Sequence, residues 1–226
     1  MRDNMNDIST KPQSFNTAVL LLAFNRPATT LKVFEAIRKV KPPRLYVSCD
    51  GTRKGRDGEA ERVASVRKII TNVDWPCEVK TLFQKNNLGC RYAVSTAITW
   101  FFHQEEQGII LEDDDFASLD FFYFCESLLN YYRDDERVST ISGTNNQNDK
   151  KRGDTSYYFS KYFHSWGWAT WRRVWNYYDG DISFWPKWKR SNNYNNLFID
   201  NIERRYWTKI FDRIYKSNPD SMSYPF

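Results

Sequence analysis

Four consecutive carboxylates, Glu112-Asp113-Asp114-Asp115, follow directly on the short apolar run Gly108-Ile109-Ile110-Leu111. Four like charges side by side raise one another's pKa values and are costly unless a cation or a set of donors neutralises them. Hard oxygen ligands suit Mg²⁺ or Mn²⁺, which bind one or two carboxylates together with substrate phosphates and retained waters. An acidic run in general reads as a solvated turn, here one capping a helix that starts near Asp120. Directly after a buried strand the reading moves to a metal site, because ligands of open α/β sheets gather beyond the carboxyl ends of strands.

Three further polar groups fall after apolar runs: Asn25-Arg26, Asp50, and Asn87 with Gly89. An arginine makes paired bonds to phosphate oxygens, an aspartate accepts from a base N–H or a ribose hydroxyl, and a metal bridges two phosphates. Taken singly, Arg26 reads equally as a surface ion pair, Asp50-Gly51 as a turn and Asn87 as a helix cap. Their coincidence at strand ends is what suggests a cradle for a nucleoside diphosphate.

The elements that must position these groups are legible. Ala18 to Ala23, Arg44 to Ser48, Glu78 to Phe83 and the run before Glu112 read as strands, alternating with helical patterns after Pro27, over Glu59 to Ile70 and after Gly89. Pro27 suits a first helical turn, where its missing N–H is harmless. Four alternations with short connections predict βαβ units and a mainly parallel sheet. A helix is expected over Asp120 to Tyr132, a strand over Val138 to Gly143 and a terminal helix over Leu197 to Lys216. Between them lie a polar loop from Thr144 to Thr155 and an aromatic-crowded stretch from Tyr157 to Trp175. The expected division is a disordered or loosely packed terminus over 1–16, a nucleotide-sugar-binding α/β half over 17–143 and an acceptor-side half over 144–226.

Composition narrows the function. Aromatics reach 17%, concentrated late in the chain, and such rings stack on sugars and bases as readily as they pack. A net charge of +5 suits a phosphate-bearing ligand or an anionic membrane surface and is too mild to argue for nucleic acid. The aromatic, basic last third carries no RNA-binding motif. Cys49, Cys77, Cys90 and Cys125 are widely spaced, which indicates neither zinc nor a disulfide framework. With no apolar run of membrane-spanning length and no signal-peptide core, the expected place is the cytoplasm, with peripheral contact at the inner membrane face allowed.

Four segments in order give the chain a resemblance. Leu22-Ala23-Phe24-Asn25-Arg26-Pro27, Val47-Ser48-Cys49-Asp50-Gly51, Ile110-Leu111-Glu112-Asp113-Asp114 with Asp120-Phe121-Phe122, and Phe163-His164-Ser165-Trp166-Gly167-Trp168 resemble the ordered signatures of GT-A glycosyltransferases. The likeness is to the N-acetylglucosaminyltransferase I type and its bacterial relatives, over about residues 18 to 175. It implies a GT-A, Rossmann-like three-layer α/β sandwich that transfers a hexosyl or N-acetylhexosaminyl group from a nucleotide sugar, a UDP-sugar by expectation. The implied acceptor is a glycan or lipid-linked molecule, the cofactor Mn²⁺ or Mg²⁺ and the stereochemistry inverting. Carried over by position, Arg26 with Asn25 would meet the diphosphate, Asp50 the nucleobase or ribose, and the Asn87 to Gly89 turn the nucleoside. Glu112 would face the sugar, Asp113 the ribose and Asp114 the metal. Trp166, Gly167 and Trp168 would shape the sugar pocket, against the plainer reading of the two indoles as packed core. Asp115 lies outside the motif and reads as solvated.

The pattern departs from the family near the C-terminus, where Asp220, in Pro219 to Phe226, is the nearest candidate for the base that deprotonates the acceptor. The acceptor side is expected to be shortened there. Two rivals stand beside the transferase: a non-catalytic nucleotide-sugar or glycan-binding domain, and a Mg²⁺-dependent phosphatase or nucleotidyl transferase. The second is weaker, for want of an early Asp-x-Asp nucleophile and a glycine-rich phosphate loop.

Overall fold

The computed structural model describes residues 14–147, 150, 153–217 and 219–221. Its centre is a six-stranded, mostly parallel sheet flanked by helices, a Rossmann-like α/β arrangement, as the alternation of elements predicts. The chain runs β1 (Val19–Ala23), α1 (Pro27–Val40), β2 (Arg44–Cys49), α2 (Glu59–Ile70), β3 (Glu78–Phe83), α3 (Cys90–Phe102), β4 (Gln107–Glu112) and α4 (Leu119–Tyr131). Then come β5 (Thr140–Ser142), β6 (Trp168–Trp171), the short helices α5 (Arg172–Trp175), α6 (Trp185–Trp188) and α7 (Asn192–Leu197), and α8 (Asn201–Ser217).

The strand order is β3-β2-β1-β4-β6-β5. The first four strands are parallel, β6 runs antiparallel to β4, and β5 pairs antiparallel with β6. From β1 the chain first winds outward through β2 and β3, then crosses back to place β4 on the other side of β1. That reversal makes the carboxyl ends of β1 and β4 the topological switch point, where open α/β sheets form their ligand crevice.

Both faces of the sheet are covered, which explains why β1 and β4 read as continuous apolar runs without alternation. Val19, Leu21, Leu45, Val47, Ile109 and Leu111 pack with Val33, Phe34 and Ile37 of α1, Val63 and Val66 of α2, and Phe122 and Leu129 of α4. On the other face Leu20, Leu22, Tyr46 and Ile110 meet Ala97, Ile98, Phe101 and Phe102 of α3. Each such aliphatic side chain, fully withdrawn from water, is worth about 1.5–3 kcal/mol, so the strand ends are held rigidly relative to one another.

Two features bear on the expected divisions. Residues 1–13 of the expected loose terminus lie outside the described residues, while Phe15 is already buried, edge-on to Phe122 and Tyr123. The division at 143/144 is crossed by the sheet itself: β6, from the later half, is inserted between β4 and β5. A separate aromatic cluster, Ile182, Trp185, Tyr194 and Ile214 with Trp188, Ile210 and Phe211, forms the core of the C-terminal helices.

Candidate functional site

Arg26, at the N-terminal boundary of α1, reaches across the switch point to the loop after β4. Its guanidinium pairs with Asp113 and, at 2.7 Å, with Asp114. Asp113 is buried and also accepts from the Phe24 N–H at 3.2 Å, so it ties the ends of β1 and β4 together. Asp114 is half-exposed, as is Arg26 itself. The sequence thus places the arginine and the acidic loop correctly at one edge, and the structure brings them into contact with each other.

One guanidinium does not balance four carboxylates. Burial, then the neighbouring charges of Asp115, Asp114 and Asp113, push Glu112 up to about 7. Burial likewise pushes Asp115 up to about 6 and raises Asp113, the latter against the pull of Arg26. Asp115 is not the solvated residue expected. Its Oδ2 accepts the backbone N–H of Glu112 at 2.9 Å and that of Gly167 at 2.9 Å, fastening the Trp166-Gly167 loop to the acidic turn. Gly167 has φ +61°, a conformation that costs a side-chain-bearing residue about 1 kcal/mol or more. The signal available in the sequence was only adjacency to the motif, since a contact across 52 residues leaves no local trace.

The donor set fits a hard divalent cation: oxygen ligands only, mutually destabilised, with one half-exposed member. Among the described residues no group of three or more His, Cys, Asp or Glu side chains is placed to hold a metal ion. The acidic loop alone therefore forms no closed cation cage.

On the β2 side the groups are engaged differently. Asp50 is buried and its carboxylate accepts from the Gly51 N–H at 2.8 Å, the Leu88 N–H at 3.0 Å and Asn87 Nδ2 at 2.8 Å. It therefore clamps the Asn87 to Gly89 turn against the end of β2. Gly51 is required there, because a Cβ would overlap the backbone of Asn86. Asn25 does not face Arg26's partners but donates from Nδ2 to Glu59 at 2.9 Å. Glu59, read in the sequence only as a helix start, is fully buried and also bound by the Arg53 side chain and its N–H at 2.7 Å. Arg53's hydrogen bonds and charge hold Glu59 down at about 2.

The remaining expected residues divide. Trp166 is 68% exposed and its indole is free to stack on a ligand. Trp168 is 1% exposed; it stands in β6 opposite Ile110 and packs edge-on against Phe163, so it is core and not pocket wall. Asp220, the candidate base, stands at the start of α3. Its oxygens accept the N–H groups of Cys90 at 3.2 Å and Arg91 at 2.7 Å, capping α3 beside Gly89. A cavity of about 530 Å³ lies between α4, β5 and the 155–164 segment, lined by Phe124, Tyr132, Tyr157 and Phe159 with Ser and Thr hydroxyls and by none of Arg26, Asp50 or Glu112 to Asp115.

No protein-family model matches the sequence, and a search of curated proteins finds no match. Among solved structures, the chain is similar to a 4-diphosphocytidyl-2C-methyl-D-erythritol synthase from Anaerococcus prevotii DSM 20548. Identity is 12%, the TM-score is 0.44, and the alignment covers 87% of this chain and 83% of that one. A TM-score below 0.5 does not extend to shared chemistry. No helix among the described residues is long and apolar enough to cross a membrane.

Proposed function

We propose that the protein is a metal-dependent glycosyltransferase that moves a sugar from a nucleotide diphosphate sugar, a UDP-sugar in the first instance, to a glycan or lipid-linked acceptor. The observation that carries this reading is the under-neutralised carboxylate cluster meeting Arg26 at the switch point of a doubly wound sheet. The ordered motif resemblance supplies the reaction class.

In this reading Asp114 would hold Mn²⁺ or Mg²⁺, which when bound supplies Lewis-acid charge to the departing diphosphate. Arg26 would exchange its carboxylate partners for diphosphate oxygens, keeping charge-assisted bonds throughout and so losing little in the exchange. Asp113, fixed by the Phe24 N–H, would accept from a ribose hydroxyl, and Glu112 from a hydroxyl of the sugar. Trp166 would give the sugar an apolar face to stack on. Asp50 would act indirectly, by holding the Asn87-Leu88 turn as a wall for the nucleoside. The aromatic cavity beside α4 would offer an acceptor sugar both rings and hydroxyls.

One observation favours the rival, donor binding without turnover: Asp220 is committed to capping α3. UDP release from a panel of UDP-sugars with Mn²⁺ separates the two. Release supports transfer or donor hydrolysis, Mn²⁺-dependent UDP binding without release supports the rival, and neither would sink both.

A further inference from the structure

Helix α8 has two faces of different character. Trp207, Ile210, Phe211 and Ile214 turn toward the C-terminal core, where Phe211 meets Trp185 and Trp188. Ile202, Arg205, Tyr206, Lys209 and Arg213 are all exposed, and at 3.6 residues per turn they share one stripe about 100° wide. Ile202 is 74% and Tyr206 59% exposed, and Ile199, just before the helix, is wholly exposed. The stripe contains no carboxylate. The two acids of α8 are held elsewhere, Glu203 by Lys161 at 2.8 Å and Asp212 by Lys189 at 2.7 Å. Arg205, Lys209 and Arg213 consequently have no ion-pair partner among the described residues.

A merely solvated face needs cations but gains nothing from an exposed isoleucine and tyrosine among them, with another exposed isoleucine just before the helix. The centre of a protein interface welcomes the apolar residues but is depleted in lysine. An anionic lipid surface takes both kinds at once, cations at the phosphate headgroups and apolar tips at the acyl boundary. We propose that this stripe of α8 seats the protein on an anionic lipid surface, with Arg205, Lys209 and Arg213 at the headgroups and Ile199, Ile202 and Tyr206 inserted beside them. The inference is independent of the donor chemistry proposed above.

Co-sedimentation of the full chain with vesicles tests it. The protein is expected to bind phosphatidylcholine vesicles containing phosphatidylglycerol, to leave pure phosphatidylcholine in solution, and to dissociate at high salt. Arg205→Glu with Lys209→Glu should weaken binding by about tenfold or more, and Ile199→Ser with Ile202→Ser by a smaller factor with the salt dependence kept. All four side chains are exposed, so circular dichroism should be unchanged. The control pair Lys39→Glu with Lys68→Glu removes the same charge from exposed positions on α1 and α2 and should leave binding intact. Failure of the wild type to bind anionic vesicles would overturn the proposal. Equal loss in the control pair, or no loss in either α8 pair, would overturn it as well.

Discussion

Glu59, at the start of α2, and Glu112, at the end of β4, are both withdrawn from water, yet one is held down at about 2 and the other pushed up to about 7. Glu59 collects donors from the Arg53 side chain, the Arg53 N–H and Asn25. Around Glu112 stand three more carboxylates, with Arg26 the offsetting charge. Asp50 belongs with Glu59: burial raises its pKa, but hydrogen bonds from Leu88, Gly51 and Asn87 occupy its oxygens. At Glu59 and Asp50 the fold supplies donors to a buried carboxylate that shapes a loop. At the switch point the like charges are offset by Arg26 and by the raised proton affinity of Glu112 and Asp115, and a cationic ligand is the further counter-charge we propose.

The contrast can be broken at its satisfied side first. Asp50→Ala would orphan the Leu88 and Gly51 N–H groups and Asn87 Nδ2 together, and urea unfolding should show a loss of about 3 kcal/mol. Glu59 should appear in the acid limb of stability. Its folded pKa lies below the ordinary 4.5, so its contribution is present above that value and is lost as pH falls toward about 2. Melting temperature followed downward from about pH 5 should decline less steeply in Glu59→Gln, which starts several degrees lower.

On the unsatisfied side the sign reverses. Glu112's folded pKa lies above 4.5, so the native state takes up a proton that the unfolded chain has released, and its stability falls as pH rises from 4.5 through about 7. In EDTA, Glu112→Gln should therefore be more stable than wild type above neutrality by about 1 kcal/mol, with the advantage gone in acid. Wild type that gains no stability on adding Mn²⁺ would weaken the idea of a cation deficit. The smallest effect belongs to Asp114→Ala: at a half-exposed position in a like-charged cluster, unfolding should move by no more than about 0.5 kcal/mol.

Much of the fold was readable because its signals are local. Buried parallel strands leave unbroken apolar runs, and α2 and β3 begin and end where composition says they should. Strand β6 is hidden inside the aromatic stretch, since four wholly buried residues carry no alternation, and of the two readings the sequence leaves for Trp168 the structure favours packed core. The site was readable as a set of strand ends but not as a network. Arg26 on Asp113, Glu59 beneath Asn25, Asp115 on Gly167 and Asp220 on α3 are all contacts between segments distant in sequence. For Asp220, chain order alone could not reveal that its carboxylate is spent on a helix cap.

The central claim, that the leftover charge at the switch point is a metal and nucleotide site, is tested most directly by calorimetric titration of UDP into wild type and Asp114→Ala, with Mn²⁺ and with EDTA. The account predicts UDP binding by wild type in Mn²⁺, none in EDTA, and none by Asp114→Ala in either although that variant stays folded. UDP binding indifferent to both Mn²⁺ and Asp114, or no binding by wild type under any condition, would contradict it.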